Sequence, residues 1–286
     1  MIEAIQALAA IGLLPDSEID PAPAALQLAR LDETGTDWMS ASEHLSELAR
    51  EAAAIGHLMT GRSAEARIGA LAGLLHARYG YRGDSDSYDD LDNANLIKVI
   101  GRRKGLPVAL GVLWLHCIRA AGWDGFGVDF PYHFLVALSV DDTEDDAEAV
   151  VLVDAFGGGD TLDADDLQAL LERLGAAPVR LQPDMVRRMT TREVLLRMQR
   201  NLVQRRLIAG DVEAALTSLG GMLQIAPDIA ANWLNAADLN RQAGNMAAAV
   251  ACLERFLALV PRGQVADKAR ADLNALRGRD GQEPLT

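Results

Sequence analysis

The chain has 286 residues, half of them apolar, with few aromatics and a formal net charge of −14. That charge argues against nucleic acid and against an anionic membrane surface, because both recruit clustered Lys and Arg. No apolar run reaches the length of a bilayer span, and the N-terminus lacks the basic start and apolar core of a signal peptide. The two cysteines, Cys117 and Cys252, each fall within a helical pattern and form neither a disulfide framework nor a metal-ligand cluster. The expectation is a cytoplasmic, mainly helical chain of two domains with no cofactor and no metal.

Residues 1–78 read as an N-terminal helical region packed on the core. Ser40-Ala-Ser-Glu43 has capping-box spacing ahead of a helix running toward Gly56, and a second helix begins near Ser63 and reaches Tyr79. Residues 79–185 read as an α+β core. It opens on a polar loop holding Asp84, Asp86, Asp89, Asp90 and Asp92. The spacing of a calcium loop fails there, with no glycine sixth and no glutamate twelfth, so a solvated loop is expected. Pro107 suits the first position of a helix and Gly122 the position after its end. Between them the sequence is apolar nearly all round, which predicts a helix buried in the centre of the domain.

Phe134–Val140 and Ala149–Ala155 follow as Val- and Leu-rich strands, joined by the acidic loop Asp141–Glu148. If they pair antiparallel across that loop, Asp154 stands opposite Leu135, with His133 as its diagonal neighbour on the same face. Such diagonals lie roughly 7–8 Å apart at the backbone, within reach of a His–Asp hydrogen bond, and a one-residue slip would separate them onto opposite faces.

Arginines then concentrate at Arg180, Arg187, Arg188, Arg192, Arg197, Arg200, Arg205 and Arg206, with Asp184 and Glu193 as the nearby acids. Two accounts stand. Either the arginines complement the acidic Asp141–Asp166 stretch between domains, or Arg187 and Arg188 dock an acidic or phosphorylated partner.

Residues 186–286 carry an internal period. Gly210-Asp211 recurs as Gly244-Asn245, Ala214-Ala215 as Ala248-Ala249, and Pro227 as Pro261, each at an offset of 34, the tetratricopeptide period. Small Ala215 and Ala249 allow close helix approach, the glycines supply tight turns, and the prolines end the second helix of each repeat. Trp233, Leu234 and Ala237 occupy the first-helix signature of the second repeat, with Asn201, Leu202 and Arg205 as the weaker equivalents in the first. An amphipathic helix from about Val265 to Leu276 would cap the stack. Two repeats are fewer than the three usually needed alone, so the array is expected to lean on the front domain, its groove open or filled from within.

A central helix, a strand opening with His and a strand ending in Asp follow the order of transglutaminase and papain-like thiol enzymes. The chain resembles the bacterial SirB-type family, in which a transglutaminase-like domain precedes tetratricopeptide repeats. The resemblance rests on Asn95-Leu-Ile-Lys-Val-Ile-Gly-Arg-Arg-Lys-Gly-Leu-Pro107, Phe130-Pro-Tyr-His-Phe-Leu-Val136, Val153-Asp-Ala-Phe-Gly-Gly-Gly159 and Glu193-Val-Leu-Leu-Arg-Met-Gln-Arg-Asn201. It implies a transglutaminase-like (papain-like) α+β domain followed by a short helical repeat array. Thiol enzymes of this fold place a cysteine at the N-terminus of the central helix, activated by the helix dipole and an imidazolium. Here that segment is Pro107-Val108-Ala109, and no side chain in it can attack a carbonyl.

Cys117 lies two turns further on, where a buried, inert thiol is the default. His116 reads as a packed histidine, Cys252 as packing, and Gly157-Gly-Gly159 as a turn, since no Gly-Lys-Ser/Thr follows. His133 and Asp154 remain as a residual pair. The first expectation is a non-catalytic scaffold or regulatory module with a protein or peptide partner, using Arg187, Arg188, Trp233 and Asn201 as contacts. The alternative is a cryptic amidase or cysteine-protease-like enzyme using His133–Asp154 with Cys117 or activated water.

Overall fold

A computed structural model describes residues 2–32, 38–140, 149–175 and 179–280. The chain forms two compact units: Leu14–Asn201, and Met1–Leu13 together with Leu202–Thr286. Most described residues are helical.

The larger unit opens with α2 (Pro21–Asp32), α3 (Trp38–Leu58) and α4 (Ala64–Ala72), following α1 (Ile2–Leu13) of the other unit. Ser63 caps α4 as its position suggested, accepting from the Ala66 amide at 3.4 Å. The helix continues as a π-turn through Gly73–Arg78. Ser40 does not cap α3, because that helix has already begun at Trp38. A two-residue parallel ladder then pairs β1 (Arg82–Gly83) with β2 (Lys104–Gly105), across α5 (Leu96–Arg102).

The central helix is α6 (Pro107–Ala120), with Pro107 in its first turn and every residue from Pro107 to Ile118 buried. Gly122 follows its end with φ +75°, a backbone value that costs glycine nothing. Beside α6 lies an antiparallel sheet in the order β6–β5–β4–β3–β7, made of β3 (Gly125–Phe130), β4 (His133–Ser139), β5 (Val150–Asp154), β6 (Asp160–Leu162) and β7 (Arg187–Met189). The two strands read from the sequence are thus the middle of a five-stranded sheet, β3 and the two short edges having gone unread. The acidic 141–148 segment lies outside the described residues.

Alternation along the strands separates two faces. Val128, Phe130, Leu135, Ala137 and Leu152 pack against Leu167, Leu170 and Leu171 of α7 (Ala164–Leu174). On the opposite face Phe134 meets Gly111 of α6, where a Cβ would sit 2.2 Å from the ring.

The Asp-rich loop departs from expectation at one residue. Asp84 is 2% exposed and takes Arg102 at 2.9 Å and Lys104 at 3.7 Å, as well as the Ser87 amide at 3.2 Å. Burial alone would raise its pKa, but these donors hold the carboxyl below its ordinary range. The basic residues that pair with it lie 18 and 20 positions downstream, which is why a local reading of the loop missed them.

α8 (Thr191–Ile208) leaves the larger unit and continues into the smaller one. There α9 (Val212–Ile225), α10 (Ala230–Gln242), α11 (Met246–Leu259) and α12 (Gln264–Asp280) follow as successive antiparallel neighbours. Gly210 and Gly244 turn the chain at φ +78° and +80°, and Ala215 and Ala249 are fully buried. α1 packs on α9, where Gly12 lets the helices close: a Cβ there would lie 2.2 Å from the Gln224 carbonyl oxygen. The first helix therefore belongs with the C-terminal unit, whereas the sequence suggested a continuous 1–78 region and a unit beginning at 186.

Candidate functional site

β3 and β4 are joined by Pro131-Tyr132, and Phe130 pairs directly with His133. Tyr132 is held at φ +61° and stands 70% exposed. A non-glycine residue in this region costs of the order of 1 kcal/mol or more, and such strain gathers at binding sites and switches. Val136 pairs with Val153, so one step on Asp154 falls opposite Leu135 and diagonal to His133. His133 Nε2 lies 2.9 Å from Asp154 Oδ1, and both residues are 6% exposed.

An ionised carboxylate only accepts, so His133 donates from Nε2 and its Nδ1 is the basic nitrogen. Among the described residues no partner occupies Nδ1. Asp154 also accepts from the Phe156 amide at 2.9 Å and from the Gly157 amide. Burial would raise its pKa, but His133 and the two amides outweigh that and hold the carboxyl below its ordinary value of 3.8.

The Gly157-Gly-Gly159 run is the turn that makes this possible. A Cβ on Gly157 would come within 3.0 Å of the Asp154 carboxylate, and one on Gly159 within 2.7 Å of Trp114. Gly159 also takes φ +89°. Trp114 donates to His76 Nε2 at 3.2 Å, and His76 Nδ1 lies 2.6 Å from the Tyr81 carbonyl oxygen. Both nitrogens of His76 are thus committed, and burial, the main influence, lowers its pKa. It is a neutral clamp between α6 and the β1 segment, not a second base.

These groups surround a cavity of about 780 Å³, lined by His76, Tyr81, Tyr88, Tyr132, His133 and Phe156 among others. The Phe156 ring stands edge-on to both His133 and Tyr88, at 6.1 and 6.0 Å between centroids. His76, Tyr132 and Phe156 were not singled out by the sequence. The hint was that Tyr132 precedes His133 and Phe156 lies two residues after Asp154, both within the stretches that carry the resemblance.

No nucleophile of the thiol-enzyme type reaches this cavity. Pro107, Val108 and Ala109 are buried and absent from its lining. Cys117 is fully buried and likewise absent, and burial pushes its thiol up to about 12. Ser85 contributes a hydroxyl to the lining, and the structure records no hydrogen bond from it to His133. Cys252 is buried in α11.

His116 is packed, but with more polar contacts than the sequence implied. Nδ1 meets Asp20 at 2.9 Å and Nε2 meets the Leu45 carbonyl oxygen at 3.0 Å. Both partners accept, so the ring must carry both protons when Asp20 is ionised. Burial opposes that charge, yet Asp20 and Leu45 leave its pKa raised above 6.5.

Arg187, Arg192 and Arg197 of the arginine cluster pair with acids of the larger unit outside the Asp141–Asp166 stretch, of which 141–148 lie outside the described residues. Arg187 bonds Glu193 at 2.8 Å and Asp129 at 3.1 Å, while Arg197 bonds Asp129 and, at 2.5 Å, the His133 carbonyl oxygen. Arg192 pairs with Asp16 at 3.6 Å. Arg188 stacks 4.0 Å over the Phe126 ring. Through Arg197 this network also holds the His133 backbone carbonyl. Asn201 donates to the Arg197 carbonyl at 3.0 Å. Trp233, in the other unit, donates to the Pro227 carbonyl at 2.9 Å. None of Arg187, Arg188, Asn201 or Trp233 lines the cavity that holds His133.

Among the described residues no three His, Cys, Asp or Glu side chains converge to hold a metal ion, and no helix is long and apolar enough to cross a membrane. Comparison with known proteins agrees with the topology. Residues 39–200 match the family model of the transglutaminase-like superfamily. A UPF0162 protein of Xylella fastidiosa strain Temecula1 is 30% identical over 210 residues, covering 72% of this chain and 73% of that protein. A UPF0162 protein of Vibrio cholerae is 36% identical over 115 residues, 40% of this chain and 41% of its own length. No solved structure matches significantly. On the matched core and the length of the shared alignment, the chain belongs to the transglutaminase-like superfamily and to the UPF0162 family.

Proposed function

We propose that this chain is a non-catalytic, SirB-type member of its superfamily, a scaffold or regulatory module that binds a protein partner. The observation that carries the reading is a cavity retaining an oriented His133–Asp154 pair with no thiol in its lining, Cys117 being buried with its pKa pushed up to about 12. A histidine without a nucleophile or metal has only water to activate, a contribution typically of about 10²–10⁴-fold. A rigid pocket with a hydrogen-bonding imidazole can serve recognition without chemistry.

We read α8–α11 as two tetratricopeptide repeats capped by α12. The 34-residue offset, the left-handed glycines at its turns and the buried alanines support that reading. Repeats of this kind commonly present a peptide-binding face. The two unpaired, buried cysteines suit a reducing, cytoplasmic setting.

The test is turnover. Purified protein is incubated with fluorogenic peptide amides and, separately, with a glutamine-containing protein and a labelled amine. No product above the buffer blank is expected. Hydrolysis or amine incorporation that disappears in His133→Ala would replace this reading with the enzymatic one.

A further inference from the structure

The cavity beside His133 carries a charge pattern opposite to that of the chain. The protein as a whole has a formal charge of −14, yet among the described residues Asp154 is the one acid in the cavity lining, and it is engaged by His133. Arg82 and Arg173 line the same cavity, and the structure records no acidic partner for either guanidinium among the described residues. This sets them apart from Arg187, Arg192 and Arg197, each of which is paired with an acid. An unpaired guanidinium at a concave site is suited to a carboxylate, which it can hold through two parallel hydrogen bonds.

Two further features point to a ligand at the same place. His133 presents Nδ1 with no partner among the described residues, while its Nε2 is fixed on Asp154. Tyr132, at the cavity wall, takes φ +61° as the second residue of the two-residue Pro131-Tyr132 turn, and that turn leaves its side chain 70% exposed beside the cavity. Tyr88 and Phe156 supply an aromatic lining against which an extended chain can lie.

We propose that this cavity is a recognition site for an acidic peptide segment of a partner protein, with Arg82 and Arg173 taking two of its side-chain carboxylates and Tyr132 and Phe156 packing against the backbone between them. The proposal rests on the reading of the cavity as a binding site. Two separate guanidiniums call for two carboxylates, which favours an acidic stretch over a single chain terminus. Long-range electrostatics oppose the encounter, since both partners are acidic, so any affinity must come from the local contacts.

The test uses the full-length protein and rhodamine-labelled Gly-Ser-Glu-Phe-Glu-Ser-Gly amide, read by fluorescence anisotropy. Matched probes replace both Glu by Gln or by Lys, and a fourth carries Gln with a free C-terminal acid. The Glu amide is expected to bind at least ten-fold more tightly than the other three. The double variant Arg82→Gln/Arg173→Gln should lose that preference while keeping the wild-type urea midpoint. Arg262→Gln/Lys268→Gln, which removes the same charge from the other unit, should retain it. Tyr132→Gly relieves the strained backbone, so it should weaken binding several-fold without lowering the urea midpoint.

Equal affinity for Glu and Gln probes, preference for Lys or for the free terminus, or no binding by any probe would overturn the proposal. So would full binding by the Arg82/Arg173 variant. Mass spectrometry of the same samples separates the two readings: cleavage of the probe would overturn the non-catalytic function while leaving carboxylate selection standing.

Discussion

Two histidine–aspartate pairs in the larger unit have the same 2.9 Å contact and opposite uses. His116 is closed in on both sides, by Asp20 and by the Leu45 carbonyl. Among the described residues His133 is bonded at Nε2 alone, and it borders a cavity with Nδ1 unpartnered. The first has no nitrogen left for a ligand; it joins the segment before α2 to α3 through the core helix. The second is oriented but not exhausted, which is what a recognition or catalytic imidazole requires. Distance to a carboxylate therefore does not identify a functional histidine; the partner of the second nitrogen does.

The largest effect that would sharpen this contrast is Asp154→Ala. It leaves His133 and two backbone amides without an acceptor in a buried corner, and it should cost about 3 kcal/mol in urea denaturation. His116→Ala removes a buried ring and strands the Leu45 carbonyl, with an expected loss of about 2 kcal/mol. His133→Ala should cost about 1 kcal/mol, because Asp154 keeps its amide donors and the ring already borders open space. If His133→Ala proved more damaging than His116→Ala, the contrast between a structural and an available histidine would be reversed.

pH separates the pairs by sign. Asp154 is depressed below 3.8, so its contribution is present above that value and is lost as pH falls through the lower folded one. His116 is raised above 6.5, so its contribution is complete below 6.5 and is lost as pH rises through the higher folded one. Unfolding free energy measured across pH should have a shallower acid limb in Asp154→Asn, since Asp84 still contributes there, and a shallower limb above 6.5 in His116→Gln. An unchanged profile in either variant would remove that pair from the account. The smallest expected signal is at Cys117: native alkylation followed by peptide mass should be slow from pH 5 to 8 and unaltered by His133→Ala. A fast, His133-dependent reaction below neutral pH would revive a thiol enzyme.

The His133–Asp154 contact was legible in the sequence because strand alternation and a short acidic connection admit one register that buries both apolar faces. The central helix was legible for a similar reason, with Pro107 and Gly122 marking its ends and no polar stripe between them. Asp84 was misread, since nothing within its own loop reveals that Arg102 and Lys104 will close over it. The arginine cluster was visible in the sequence, but the pairing of its members with Asp129 and Asp16 was not, because those acids lie far from them in the chain. α1 looked like part of the front region until its packing on α9 assigned it elsewhere.

What the amino-acid order determined by itself are the features set by neighbours within a turn or a strand: the register of β4 on β5, the buried helix α6, the 34-residue period, and a helix start without a nucleophile. These depend on local periodicity and on side-chain chemistry, both of which a linear chain displays. Only the tertiary structure decided the rest. It committed both nitrogens of His76 and both of His116, set Tyr132 in a left-handed turn at the cavity wall, and, among the described residues, gave Nδ1 of His133 no partner and Arg82 and Arg173 no acid. Each of these depends on which distant groups approach within about 3 Å, the range at which hydrogen bonds and ion pairs are made.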